Sequence, residues 1–276
     1  MLDHEEYVEQ AYFFQVLSER LPEDFPLQEL LQQIRHELLA TTKLPLALDF
    51  MSAELRHSGM VSPSMKRLPH YFTPYQTYIM SAAEDERGRF DVRVGIEILH
   101  LEAKYRAGNP VPEGLFLYQF ETICRNRLRY DRGLDAIAAD PFYNSDWKAW
   151  IAIVQRQVGT VELADMIYVR SREYLRRKAQ PGQAPDPPEA PVLFGEKEGR
   201  IAWANRQKDP MYLFAALQRH LGYPPAPRPK RPDETRELLP QLLRRVERLE
   251  QRIKLLEDES REGIDITKFY SKPGPT

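Results

Sequence analysis

The stretch Phe90-Asp91-Val92-Arg93-Val94-Gly95-Ile96-Glu97-Ile98-Leu99-His100-Leu101-Glu102-Ala103-Lys104-Tyr105-Arg106 decides the fold class, because it carries two hydrophobic periods at once. Phe90, Val92, Val94, Ile96 and Ile98 alternate with polar residues or glycine, as in a half-buried strand, whereas Phe90, Val94, Ile98, Leu101 and Tyr105 share one helix face. The helix is favoured on two grounds. The pattern runs without a turn signal into Leu101 to Arg106, and an isolated strand would have no partner elsewhere in the chain. Gly95 is the one residue that argues against it. The expected fold is therefore mainly α: a multi-helix body, a proline-linked helical module and a C-terminal parallel coiled-coil helix.

On the N-terminal side, Leu2-Asp3-His4-Glu5-Glu6-Tyr7 reads as a capping box, with Asp3 as cap, Glu6 returning the bond and Leu2 stapled to Tyr7. Tyr7, Ala11, Phe14 and Leu21 form the stripe of that helix, and Leu27, Leu31, Ile34 and Leu38 that of the next. A third helix runs from Pro45 to Ser58, with Gly59 placed to close it in a left-handed conformation. Thr73-Pro74-Tyr75-Gln76 is a second capping box. Further helices are expected to open near Asn144 to Asp146, at Thr160 and at Asp209-Pro210, the last ending at Gly222. The aromatic cluster Tyr71, Phe72, Tyr75 and Tyr78 is read as core, with a ligand groove as the alternative.

Twenty-three prolines punctuate this pattern and gather in two clusters. They divide the chain into a helical body (1–179), a proline-rich linker (180–191) and a small helical module (192–223) that should pack on the body. A proline and basic spacer (224–237), a coiled-coil helix (238–262) and a tail (263–276) follow.

From Leu239 the apolar residues Leu239, Leu242, Val246, Leu249, Ile253 and Leu256 are spaced three and four apart. Leu239, Val246 and Ile253 then occupy the a positions and Leu242, Leu249 and Leu256 the d positions, the combination that favours a parallel pair. Arg245 and Arg252 fall at g, Glu250 and Glu257 at e, so Arg245 would face Glu250 and Arg252 would face Glu257 of a second copy. Leu243 at e and Leu255 at c widen the apolar face and allow packing back on the body instead.

The chemistry-bearing residues are few. Two Glu-x-x-His steps, Glu54 with His57 and Glu97 with His100, each place carboxylate and imidazole on one helix face. With a bridging glutamate such as Glu9, Glu37 or Glu121 they would make a ferritin-like di-metal site for iron or manganese. That arrangement needs a lone glutamate before each paired step, and the second step has only Glu84 and Glu86 in that interval. Cys124 lies on an apolar stretch and reads as an inert core thiol; as the single cysteine it excludes an intramolecular disulfide and a cysteine-built metal site. Two arginine-rich patches, Arg125, Arg127, Arg129, Arg132 and Arg170, Arg172, Arg176, Arg177, Lys178, raise nucleic acid as a third possibility. No nucleophile elbow, phosphate-binding glycine loop, dinucleotide fingerprint or zinc-protease motif is present in the sequence.

Composition sets the outer limits. At 276 residues, 42% hydrophobic and 29% charged with a net charge of −2, the chain falls in the ordinary globular class, without a general pull toward nucleic acid or anionic lipid. Its acidic N-terminus and the lack of a long apolar run point to a cytoplasmic protein with no membrane segment. The expected function is non-catalytic: an adaptor or scaffold that forms a parallel homodimer through its coil, contacts a protein partner through body or tail, and needs no cofactor.

Overall fold

The computed structural model describes residues 2–21, 26–85, 88, 90–178 and 190–228, together with 246, 249, 250 and 253. Among these are thirteen helices and no strand: α1 (His4–Arg20), α2 (Leu27–Glu37), α3 (Leu44–Ser58), α4 (Ser62–Arg67), α5 (Pro74–Ala83), α6 (Val92–Ala107) and α7 (Pro112–Arg125) come first. Then follow α8 (Tyr130–Ala138), α9 (Ser145–Gln157), α10 (Leu163–Tyr168), α11 (Arg172–Lys178), α12 (Glu196–Ala204) and α13 (Pro210–Leu221). The chain divides into two compact units, Met1–Pro229 and Lys230–Thr276.

The ambiguous stretch is helix α6. Asp91 caps it by accepting from the Arg93 N–H at 2.8 Å, and its buried face carries Val94, Gly95, Ile96, Ile98 and Leu99. Gly95 has a packing reason to be there, since a Cβ at this position would sit 3.1 Å from the Ala83 Cβ of α5. The close approach of two helices thus outweighs the helix-propensity cost of glycine. α6 pairs most extensively with α1 and also packs on α5 and α7.

Most boundaries follow local chemistry. Thr73 and Gln76 form the full capping box, with the Gln76 N–H donating to Thr73 Oγ1 at 3.2 Å and the Thr73 N–H to Gln76 Oε1 at 3.1 Å. Asn144 caps α9 and Asp209 caps α13, while Gly59 and Gly222, both at φ 70°, close α3 and α13 in the left-handed region that favours glycine. Two expectations need correction. Asp3 is the N-cap residue of α1 but makes no side-chain cap bond, and Glu6, expected to return the bond, turns inward and accepts from the Lys43 N–H at 2.9 Å. The helix expected at Thr160 begins three residues later at Leu163, with Glu162 as N-cap, because residues 158 to 161 form a turn around Gly159 at φ 89°.

Residues 192–223 lie in the same compact unit as the body. The Arg172 N–H donates to Phe194 O at 3.1 Å, and the Leu193 and Phe194 N–H groups donate to Arg170 O at 2.9 and 3.1 Å. Phe194 is buried against Trp147 and Trp150, with ring centroids 5.3 and 5.2 Å away, and these tryptophans pack in turn on Phe116. α13 packs on α7 and α12, and Phe214 approaches Phe120 at 6.2 Å. Burying each such aromatic side chain contributes about 1.5 to 3 kcal/mol, enough to fix a short segment to the body. Tyr71, Phe72 and Tyr75 are core residues as well.

Candidate functional site

The most polar region of the interior lies where α1, α5, α6, α7 and the α8–α9 connection meet. Glu102 and Arg106, one helical turn apart on α6, are both buried and paired at 2.8 Å, and Arg106 also binds buried Asp140. Glu102 Oε1 accepts from Arg106 Nε and Nη2 and from Gln119 Nε2 at 2.9 Å, and its Oε2 accepts from Gln76 Nε2 at 2.8 Å. Gln76 Nε2 also donates to Gln10 Oε1 at 2.7 Å, and the Tyr143 hydroxyl donates to Gln119 Oε1 at 2.8 Å. Burial works against the Arg106 guanidinium, but Glu102 and Asp140 outweigh it and hold it more firmly protonated than usual. Burial likewise pushes the Tyr143 hydroxyl well above its ordinary range.

The sequence expectations missed this cluster. Glu102 and Arg106 continue the face of Ile98 at positions where a core residue belongs, and a charged pair on such a face was the available signal. The cluster satisfies almost all of its polar atoms internally, Gln10 Nε2 being without a partner. It therefore acts first as a device that fixes how five elements sit on one another.

The residues expected to bind metal are not brought together. α3 packs on α1, α2 and α4, whereas α6 packs on α1, α5 and α7. Glu54 pairs with Arg67 at 2.6 Å, and His57 and Glu97 are exposed. His100 places Nδ1 2.9 Å from Ala11 O, where it donates. The three bridging candidates are engaged elsewhere: Glu9 accepts from the Leu39 N–H, Glu37 binds Arg20 and Tyr12, and Glu121 binds Arg125 and Tyr223. Among the described residues no group of three or more His, Cys, Asp or Glu side chains is placed to hold a metal ion.

Part of each arginine patch is paired with nearby carboxylates. Arg125 pairs with Glu121 and Arg129 with Asp131, and Arg176, Arg177 and Arg200 all converge on Glu173, whose side chain is wholly buried. Burial raises the Glu173 carboxyl, but hydrogen bonds from Arg176, Arg177 and Arg200 overcome it and bring the carboxyl down to about 2. Burial pushes the Cys124 thiol up to about 11, as expected for an inert core position.

The described residues also enclose cavities. An apolar one of about 40 Å³ lies between α1 and the helices around it, lined by Phe13, Phe14, Met51, Met65, Met80 and Ile96. An open cleft beside α12 and α13 contains Glu198 Oε1 and His220 Nε2, 2.9 Å apart.

Of the proposed coil, Val246, Leu249, Glu250 and Ile253 are helical, and the three apolar side chains among them are exposed at 50, 52 and 55%. Leu239, Leu242, Arg245, Arg252, Leu256 and Glu257 lie outside the described residues, as do Leu243 and Leu255. No described helix is long and apolar enough to cross a membrane. Together these features define a mainly helical protein whose interior is ordered by a buried ionic cluster. Comparison with protein-family models, curated proteins and solved structures finds no match for the chain.

Proposed function

We propose that this chain is a self-associating, non-catalytic adaptor or scaffold that dimerises in parallel through its C-terminal helix and leaves its N-terminal unit to engage a protein partner. The observation that carries the reading is the helical state of Val246, Leu249 and Ile253 with half of each side chain exposed. Burying the exposed half of each of these against a second copy would contribute about 0.7 to 1.5 kcal/mol, and the facing Arg245 and Glu250, Arg252 and Glu257 would favour parallel register.

Light scattering of the full chain tests this, with an expected mass about twice the 32.3 kDa of one copy. Leu249→Asp should give monomers. A chain carrying Arg245→Glu and Arg252→Glu, mixed with one carrying Glu250→Arg and Glu257→Arg, should form a mixed dimer. A wild-type monomer, or a dimer indifferent to Leu249→Asp, removes the reading.

A further inference from the structure

The arginine patch at the end of α7 is joined by a residue from far along the chain. Tyr223 is buried and its hydroxyl donates to Glu121 Oε2 at 3.0 Å, while Glu121 Oε1 accepts from Arg125 Nε at 2.5 Å. Residues 222–228 run on without helix or turn, with Pro227 buried and Pro225 and Arg228 exposed. The Pro227 carbonyl accepts from Asn126 Nδ2 at 2.9 Å. That carbonyl belongs to the peptide unit of Arg228, so the Arg228 backbone lies against the same helix end as Arg125 and Arg127.

α7 ends at Arg125 and α8 starts at Tyr130, so Arg125, Arg127, Arg129 and Arg132 gather on one short connection and the turns that flank it. Arg127 sits at φ 54°, a left-handed position that glycine would fill without strain. Arg125 pairs with Glu121 and Arg129 with Asp131, whereas Arg127, Arg132 and Arg228 are exposed and form no ion pair among the described residues. Asp135, the next carboxylate along α8, accepts from Gln155. Five arginines thus stand among three carboxylates in a chain whose net charge is −2.

An aromatic ring lies among these cations. Tyr130 is 39% exposed, and its ring centroid is 6.1 Å from that of Phe120. Its hydroxyl turns inward to the Cys124 thiol, and burial together with that thiol pushes the hydroxyl up to about 12. The exposed part of the side chain is therefore ring carbon, a surface suited to stacking and not to hydrogen bonding.

We infer that this surface binds a single-stranded nucleic acid, with Arg127, Arg132 and Arg228 each neutralising a phosphate and a base stacking on the Tyr130 ring. A repeating polyanion satisfies three separate unpaired guanidiniums in turn, which one compact anion does not. Arginines interleaved with an exposed aromatic ring are the means by which such strands are held without sequence preference. Each guanidinium stays charged and presents a planar fork to phosphate oxygens. An acidic run of side chains would meet the same charges but offers no flat ring to stack, and the tyrosine hydroxyl it would use is turned away. The surface adds a partner class to the adaptor reading and does not depend on it, since nothing in it involves the C-terminal helix.

The test is the fluorescence anisotropy of labelled decauridylate titrated with the full chain. Binding should saturate with a dissociation constant of about 1 to 100 µM, and log K should fall against log salt with a slope of about −2, from about 0.7 for each of three phosphates. Arg127→Gln, Arg132→Gln and Arg228→Gln should each reduce that slope by about 0.7 while melting like the parent, and Arg172→Gln, in the second arginine patch, should leave it unchanged. Tyr130→Leu should weaken binding about tenfold, whereas Tyr130→Phe, which keeps the ring, should bind like the parent. The arginine variants, all at exposed positions, decide the matter if Tyr130→Leu does not fold. No binding up to about 300 µM protein overturns the proposal. So does affinity indifferent to the three glutamine variants, or a loss with Tyr130→Phe equal to that with Tyr130→Leu. Tighter binding of a decaglutamate peptide than of decauridylate overturns it as well and would assign the surface to an acidic protein.

Discussion

Replacing Arg106 with methionine isolates the electrostatics of the buried cluster, because methionine fills most of the same volume and supplies no charge. Arg106 contributes two of the four hydrogen bonds to the Glu102 carboxylate, and it is the partner of Asp140 Oδ2. After the substitution Glu102 keeps Gln76 and Gln119 as donors, and Asp140 keeps the Phe142 N–H at 2.9 Å on Oδ1. Two carboxylates then stand in the interior with no cation among these partners. Breaking a buried pair by removing one partner costs about 3 to 5 kcal/mol, and that is the loss expected for Arg106→Met. It should appear in urea unfolding followed both by circular dichroism and by the fluorescence of buried Trp147 and Trp150.

A second variant separates charge from shape. Glu102→Gln, Arg106→Met and Asp140→Asn together remove all three charges at nearly constant volume and should recover about 2 kcal/mol or more of that loss, since a buried ion triad is worth little against neutral groups of its size. A cost below about 1 kcal/mol for Arg106→Met would mean that water reaches the cluster and that the burial argument is wrong. A triple variant no more stable than Arg106→Met alone would assign the loss to packing and refute the electrostatic account equally.

Two further outcomes follow from shifted groups. The Glu173 carboxyl is held down at about 2 against an ordinary 4.5, so its stabilising effect is present above about 4.5 and is lost as pH falls toward 2. The melting-temperature gap between parent and Glu173→Gln should therefore shrink on acidification through that window; a gap that widens contradicts the arginine-held carboxylate. With its thiol pushed up to about 11, Cys124 should react with a disulfide reagent at pH 8 about two orders of magnitude more slowly in the folded protein than in urea, and equal rates would place it at an open surface.

What the sequence makes legible depends on whether the decisive interaction is local. The box of Thr73 and Gln76, the caps Asn144 and Asp209, and the left-handed closures at Gly59 and Gly222 all lie within a few residues of the helix that they bound, and each is found where local rules put it. The box at the start of α1 loses its return bond because a distant group competes: Glu6 satisfies the backbone of Lys43, at the start of α3, in preference to its own first turn. Gly95 weakens a helix on propensity and is accommodated in it by Ala83, a residue of another helix that no periodicity points to. The two Glu-x-x-His steps had the right local spacing, but the packing of α3 and α6 decides whether four ligands meet, and that packing is not encoded in spacing.

The same distinction explains the polar interior. Leucine and isoleucine stripes tolerate sliding and rotation of one helix on another, since apolar contact is non-directional and many packings bury similar area. Hydrogen bonds do not tolerate it. Gln76 uses its oxygen to close the capping box on Thr73 and its nitrogen to reach Gln10 on α1 and Glu102 on α6, so the start of α5 and its position against two other helices are set by one amide. Shifting α5 by a single residue would turn that amide off the shared face and leave Glu102 short of a donor in a buried site, a cost of about 1 to 3 kcal/mol with no compensating gain in apolar area. A charged and amide-rich centre is thus a poor way to add stability and an effective way to exclude alternative packings.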